Sequence, residues 1–163
     1  MKYALLGALA GLALLSATTA QAEVKPNALF SDGAVLQQGI RLPVFGTADE
    51  GEKVTVTFAG QTQTTHATGG RWQVAFKPVK MQATPLTMTI AGPGNTVMVK
   101  NLLVGEVYVC SGQSNMGFNL GSAATGPQAI ANSTDPQLRL FTVPNVTAST
   151  PQQTEGGQWQ EAG

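Results

Sequence analysis

Two serine hydroxyls, Ser111 and Ser114, lie close together in the run Cys110-Ser111-Gly112-Gln113-Ser114-Asn115-Met116. A serine hydroxyl is a weak nucleophile and acts as one only with a base in hydrogen-bond reach, usually oriented by a carboxylate. Ser114 is flanked by Gln113 and Asn115, whose side-chain amides can donate to substrate or to a developing oxyanion. Gly112 lets the backbone turn sharply beside them. The same residue types also suit a strand-to-helix turn in which Ser or Asn caps the helix, and spacing alone leaves both readings open. The run does not fit Gly-x-Ser-x-Gly, because Gly112-Gln113-Ser114-Asn115-Met116 ends in methionine, which separates it from the nucleophile elbow of the α/β-hydrolases.

The element that must position these serines lies directly before them. Leu102, Leu103, Val104, Val107, Tyr108 and Val109 form a mostly apolar, β-favouring run that stops abruptly at the polar turn. Such a run reads as a strand buried on both faces, as in a parallel sheet, and in open α/β sheets chemistry sits beyond the carboxyl ends of such strands. Cys110, within this run, is expected to be a small buried hydrophobe. It is the single cysteine, so no internal disulfide can form.

The segment Gly105-Glu106-Val107-Tyr108-Val109-Cys110-Ser111-Gly112-Gln113-Ser114-Asn115-Met116 resembles the signature of the sialate O-acetylesterase family, whose members are similar to the SGNH hydrolases. Leu29-Phe30-Ser31-Asp32-Gly33-Ala34-Val35-Leu36-Gln37-Gln38 and Gly70-Arg71-Trp72 resemble the β-rich lead-in of that family, so the likeness covers residues 27 to 160. The resemblance implies a serine esterase that removes O-acetyl groups from sialic acid or related sugars. Ser114 would attack the acetyl carbonyl and form an acetyl-enzyme, with its own backbone N–H as one oxyanion donor and Gln113 and Asn115 at the oxyanion or substrate. An O-acetylated sugar is the implied partner, and no cofactor is implied. Gly117 departs from the pattern, since family members often carry an acidic residue after the methionine; this bears on a substrate contact and not on the nucleophile. Family members also carry an Asp-x-x-His pair near the end of the hydrolase domain. No Asp-x-x-His occurs here, and the one histidine, His66, lies in a polar hairpin. Residues 102–163 are therefore expected to be the truncated start of an α/β, SGNH-like hydrolase domain that lacks the Asp/His part of its triad.

Residues 23–101 read as a β-sandwich domain. Val54, Val56 and Phe58 alternate with polar residues, as do Trp72, Val74 and Phe76, and Leu86, Met88 and Ile90; alternation of this kind places each set on one face of a strand. Gly60 and the run Ala91-Gly92-Pro93-Gly94-Asn95 supply turns between them. Asp49, Glu50 and Glu52 read as a solvated acidic turn. Further along, Asn115–Leu120 and Pro127–Ser133 are expected to be short helices, Leu138–Val143 a strand and Asn145–Gly157 a loop. Trp159 is the aromatic best placed to face a sugar.

The chain opens with a leader. Lys2 is followed by the apolar stretch Ala4–Leu15, too short to span a bilayer, and Ala20-Gln21-Ala22 is a small-x-small cleavage site. Residues 1–22 are expected to be a signal peptide cleaved after Ala22, giving a periplasmic or secreted protein with no membrane span after cleavage. Nine basic and nine acidic residues balance, so nucleic acid is a poor partner. There is no glycine-rich phosphate loop and no His/Cys spacing for a metal. A rival reading from another class is a non-catalytic carbohydrate-binding or domain-packing β-sandwich module, in which the Ser114 segment has no chemical role.

Overall fold

The computed structural model describes residues 23–150, 152 and 156–163. The leader expected at residues 1–22 lies outside the described residues.

Among the described residues ten strands carry the fold. β1 (Lys25–Pro26), β3 (Leu42–Thr47) and β6 (Arg71–Phe76) form one antiparallel sheet in the order β1-β3-β6. A second sheet has the order β2-β8-β7-β4-β5, built from β2 (Val35–Gln37), β4 (Lys53–Phe58), β5 (Gln61–His66), β7 (Gln82–Ala91) and β8 (Thr96–Gly105). It is mixed, because β2 runs parallel to β8 while the other pairs are antiparallel. A two-stranded antiparallel sheet, β9 (Asp135–Phe141) with β10 (Trp159–Ala162), completes the set.

The two larger sheets share one apolar core. Val54, Val56, Phe58, Trp72, Val74, Phe76, Met88 and Ile90 are buried in it, and Leu86 packs partly buried against it. Along β4 and β6 the period-2 alternation seen in the sequence is the alternation of burial. Phe58 and Phe76 meet edge-on at 6.0 Å, which suits the ring quadrupoles. Gly46 is required where β1 crosses β3, since a Cβ there would collide with the Lys25 carbonyl and stand 2.8 Å from the Trp72 ring.

β8 contains a bulge. Met88 pairs with Val99 and Leu86 with Leu102, so β8 spends one residue more than β7 over this interval. Asn101 sits there at φ +56°, a conformation Asn tolerates better than most residues. The extra residue resets the alternation, so Val99, Leu102 and Val104 all point into the core.

The α/β start expected of residues 102–163 is not what forms: the structure is all-β apart from three short helical turns, and much of this stretch lies outside strands and helices. The apolar run divides at Glu106. Leu102, Leu103 and Val104 are buried as the end of β8. Beyond them Val107, Tyr108 and Val109 are 39%, 82% and 91% exposed and belong to no strand. A strand buried on both faces needs hydrogen-bonded neighbours and covering layers; β2 and β7 supply them only as far as Gly105. The expected helices are short: 3-10 turns at Ser114–Gly117 and Leu120–Ser122, and α1 (Gly126–Ala131) with a proline in its first turn. The strand expected at 138–143 forms as β9, but it pairs antiparallel with β10 and not with the 102–109 run. No helix among the described residues is long and apolar enough to cross a membrane.

Candidate functional site

Ser114 opens a 3-10 turn, Ser114–Gly117, at the end of an unpaired extended segment. The turn is closed by the Met116 N–H donating to the Gln113 carbonyl at 2.9 Å. Gln113 precedes it with no side-chain capping bond. The capping alternative therefore does not describe Ser114, whose hydroxyl caps nothing; the residue that caps is Asn119, whose Oδ1 accepts from the Ser122 N–H at 3.1 Å and its hydroxyl at 3.0 Å. Gly112 has a steric reason for being glycine: a Cβ there would stand 2.5 Å from Met116 Cγ.

Ser111, Gln113, Ser114 and Asn115 are all exposed. The structure thus presents both candidate amides and the candidate hydroxyl together at the surface. It does not bring a base to them. His66 is exposed on β5, the edge strand three places from β8 in the sheet, about 14 Å away at ordinary strand spacing. Among the described residues no side-chain hydrogen bond joins Ser114 to an acid or a base.

The expectation that Cys110 is buried fails: it is exposed, because the segment carrying it has no covering layer. Val107, Tyr108, Cys110 and Met116 face Leu138 and Phe141 of β9 across an open groove of about 940 Å³. Trp159, which lines the same groove, was expected in a polar loop. It lies instead on β10, half-buried, with Nε1 donating to the Leu29 carbonyl at 3.0 Å and its ring 5.3 Å from Phe141. Its polar edge is already used in docking β10 to the Leu29 backbone beside the shared core.

The acidic turn is also not fully solvated. Glu52 is buried, with Oε2 accepting from the Asp49 N–H at 3.1 Å. Glu50 accepts from the Gly69 N–H at 2.6 Å. No cluster of three metal-ligating side chains occurs among the described residues.

One group near the site was not singled out from the sequence. Glu106 accepts from Gln37 Nε2 at 2.9 Å and Gln38 Nε2 at 2.7 Å. These two bonds, Gln37's the larger influence, hold its carboxyl below the ordinary glutamate value of 4.5. The available signal was a lone charge interrupting the apolar 102–109 run.

No family model matches the chain, and no curated protein matches it. Among solved structures, the crystal structure of a novel carbohydrate acetylesterase from Xanthomonas citri matches with a TM-score of 0.81 and 35% identity. The chain is similar to a carbohydrate acetylesterase. The match covers 86% of this chain and 32% of that one, so the chain spans about a third of the length of the enzyme it resembles.

Proposed function

We propose that this chain carries the nucleophile-bearing segment of a serine esterase acting on acetyl groups of sugars, with Ser114 as the nucleophile. The observation that carries the reading is the 35% identical carbohydrate acetylesterase, which matches over 86% of this chain. The exposure of Ser111, Gln113, Ser114 and Asn115 on one unpaired segment is consistent with it. In this mechanism the Ser114 hydroxyl adds to the acetyl carbonyl as a base removes its proton. The tetrahedral oxyanion takes a hydrogen bond from the Ser114 N–H, and Gln113 or Asn115 supplies a second donor. Collapse expels the sugar hydroxyl, and water releases acetate from the acetyl-enzyme. The base is not His66, which sits on the far edge of the five-stranded sheet; it is supplied by a group outside the described residues. Sialic acid is the narrower substrate reading, carried by the Gly105–Met116 signature.

The experiment is hydrolysis of an aryl acetate and of O-acetylated sugars by the protein extended through its downstream reading frame and by the Ser114→Ala variant of that extended protein. A carbohydrate-binding module without catalysis would retain sugar and show no turnover in either form.

A further inference from the structure

Between the end of β8 and Ser114 the chain passes through a closed set of side-chain hydrogen bonds. Glu106 is exposed, yet each of its carboxylate oxygens takes a bond from a different glutamine of the β2 end: Oε2 from Gln37 at 2.9 Å and Oε1 from Gln38 at 2.7 Å. The other end of each amide is also engaged. Gln37 Oε1 accepts from the Val107 N–H at 2.7 Å, and Gln38 Oε1 accepts from the Met81 N–H at 3.2 Å. The Gln38 N–H itself donates to the Gly105 carbonyl at 2.9 Å. Adjacent residues on a strand ordinarily point to opposite faces. Gln38 lies just past β2, which lets both amides reach one carboxylate.

Past Val107, the next backbone hydrogen bond among the described residues is that of the Met116 N–H to Gln113. The clasp is thus the last fixed point on the path to Ser114. An extended chain of the intervening length spans about 23 Å, so a small change of direction at Glu106 becomes a large displacement at its far end.

We propose that Glu106 is a positioning residue, which through Gln37 and Gln38 fixes the direction in which the chain leaves β8 and so the placement of the Ser114 segment. This rests on the reading of Ser114 as nucleophile, but its test needs no turnover. A single exposed hydrogen bond contributes little; a clasp that acts as a unit must show coupling between its members.

Cys110 lies between the clasp and Ser114 and is the chain's single cysteine, so a nitroxide attached to it reports the motion of that segment. In Glu106→Gln the side chain keeps its shape but presents an NH2 group to one of the glutamine NH2 groups. The expected results are a narrower nitroxide line and a Val107 amide that exchanges about tenfold faster, while Val56 and Ile90 in the core change by less than about twofold. Gln37→Ala should do the same, and the double variant should be no looser than either single one. An unchanged nitroxide line in Glu106→Gln overturns the proposal, even if Val107 exchanges faster, as does strict additivity. Failure of Ser114 as nucleophile would leave these spectra unaffected, so the two readings fail separately.

Discussion

Arg139 Nη1 stands 2.7 Å from Glu161 Oε1, directly across the β9–β10 ladder. The arginine side chain is only 5% exposed, whereas that of Glu161 is 51% exposed. Asn101, in the bulge of β8, bonds both partners at 3.4 Å, and Trp159 bonds Leu29 from the same small sheet. A charge pair and an indole thus seat β9 and β10 against β8 and the Leu29 backbone. A buried guanidinium is tolerated only when paired, and here Arg139 Nε has no partner.

It follows that Arg139→Ala should lower stability by about 1–2 kcal/mol, the range for a charged hydrogen bond reduced by the exposure of Glu161. Arg139→Met, which restores volume without an unpaired Nε, should cost less. Urea midpoints of the two variants check this, and an alanine variant as stable as the parent would contradict it.

Trp72 is 2% exposed and donates its indole N–H to the Thr47 carbonyl at 3.0 Å. Trp72→Ala should therefore cost about 3–5 kcal/mol. Leu86→Ala should cost clearly less, because Leu86 is only partly buried. Equal shifts in denaturant midpoint for the two would mean that burial does not rank this core.

The strands carrying Val54-Val56-Phe58 and Trp72-Val74-Phe76 were legible because alternation alone determines a half-buried strand and needs no knowledge of its neighbours. The 102–109 run was misread because a continuous apolar run carries no such internal check. Its burial depends on what lies alongside, and that ends at Gly105. Cys110 was misplaced for the same reason. Trp159 was placed in a loop because its pairing with Phe141 is made only through β9, which no local pattern reports. Ser114 was singled out by its motif, and its surroundings by none. The Glu106 clasp joins residues 68 and 69 positions apart, a separation no local pattern reports.

Gly112→Ala should leave global stability within about 0.5 kcal/mol of the parent, as expected for a surface position. It should nevertheless displace Met116, whose Cγ would stand 2.5 Å from the new Cβ. The methyl resonance of Met116 reads this directly; an unmoved resonance would show that the turn does not need a glycine at 112.

The clasp at Glu106 also has a definite pH dependence. Its folded-state carboxyl titrates below the ordinary 4.5, so whatever it contributes is present at neutral pH and is lost as pH falls through that lowered value. The side-chain NH2 resonances of Gln37 and Gln38 should titrate together with a midpoint below 4.5, and the transition should vanish in Glu106→Gln. A midpoint above 4.5 would reverse the sign of the argument.

The most direct test of Ser114 is acetate release from an O-acetylated sugar, comparing the protein extended through its downstream reading frame with the Ser114→Ala variant. Removal of a serine nucleophile typically costs on the order of a millionfold in kcat, so the variant should fall to the background rate while Ser111→Ala retains turnover. Residues 23–163 alone should show negligible activity, since Ser114 has no base among the described residues. Undiminished acetate release by the extended Ser114→Ala protein would contradict the assignment of the nucleophile.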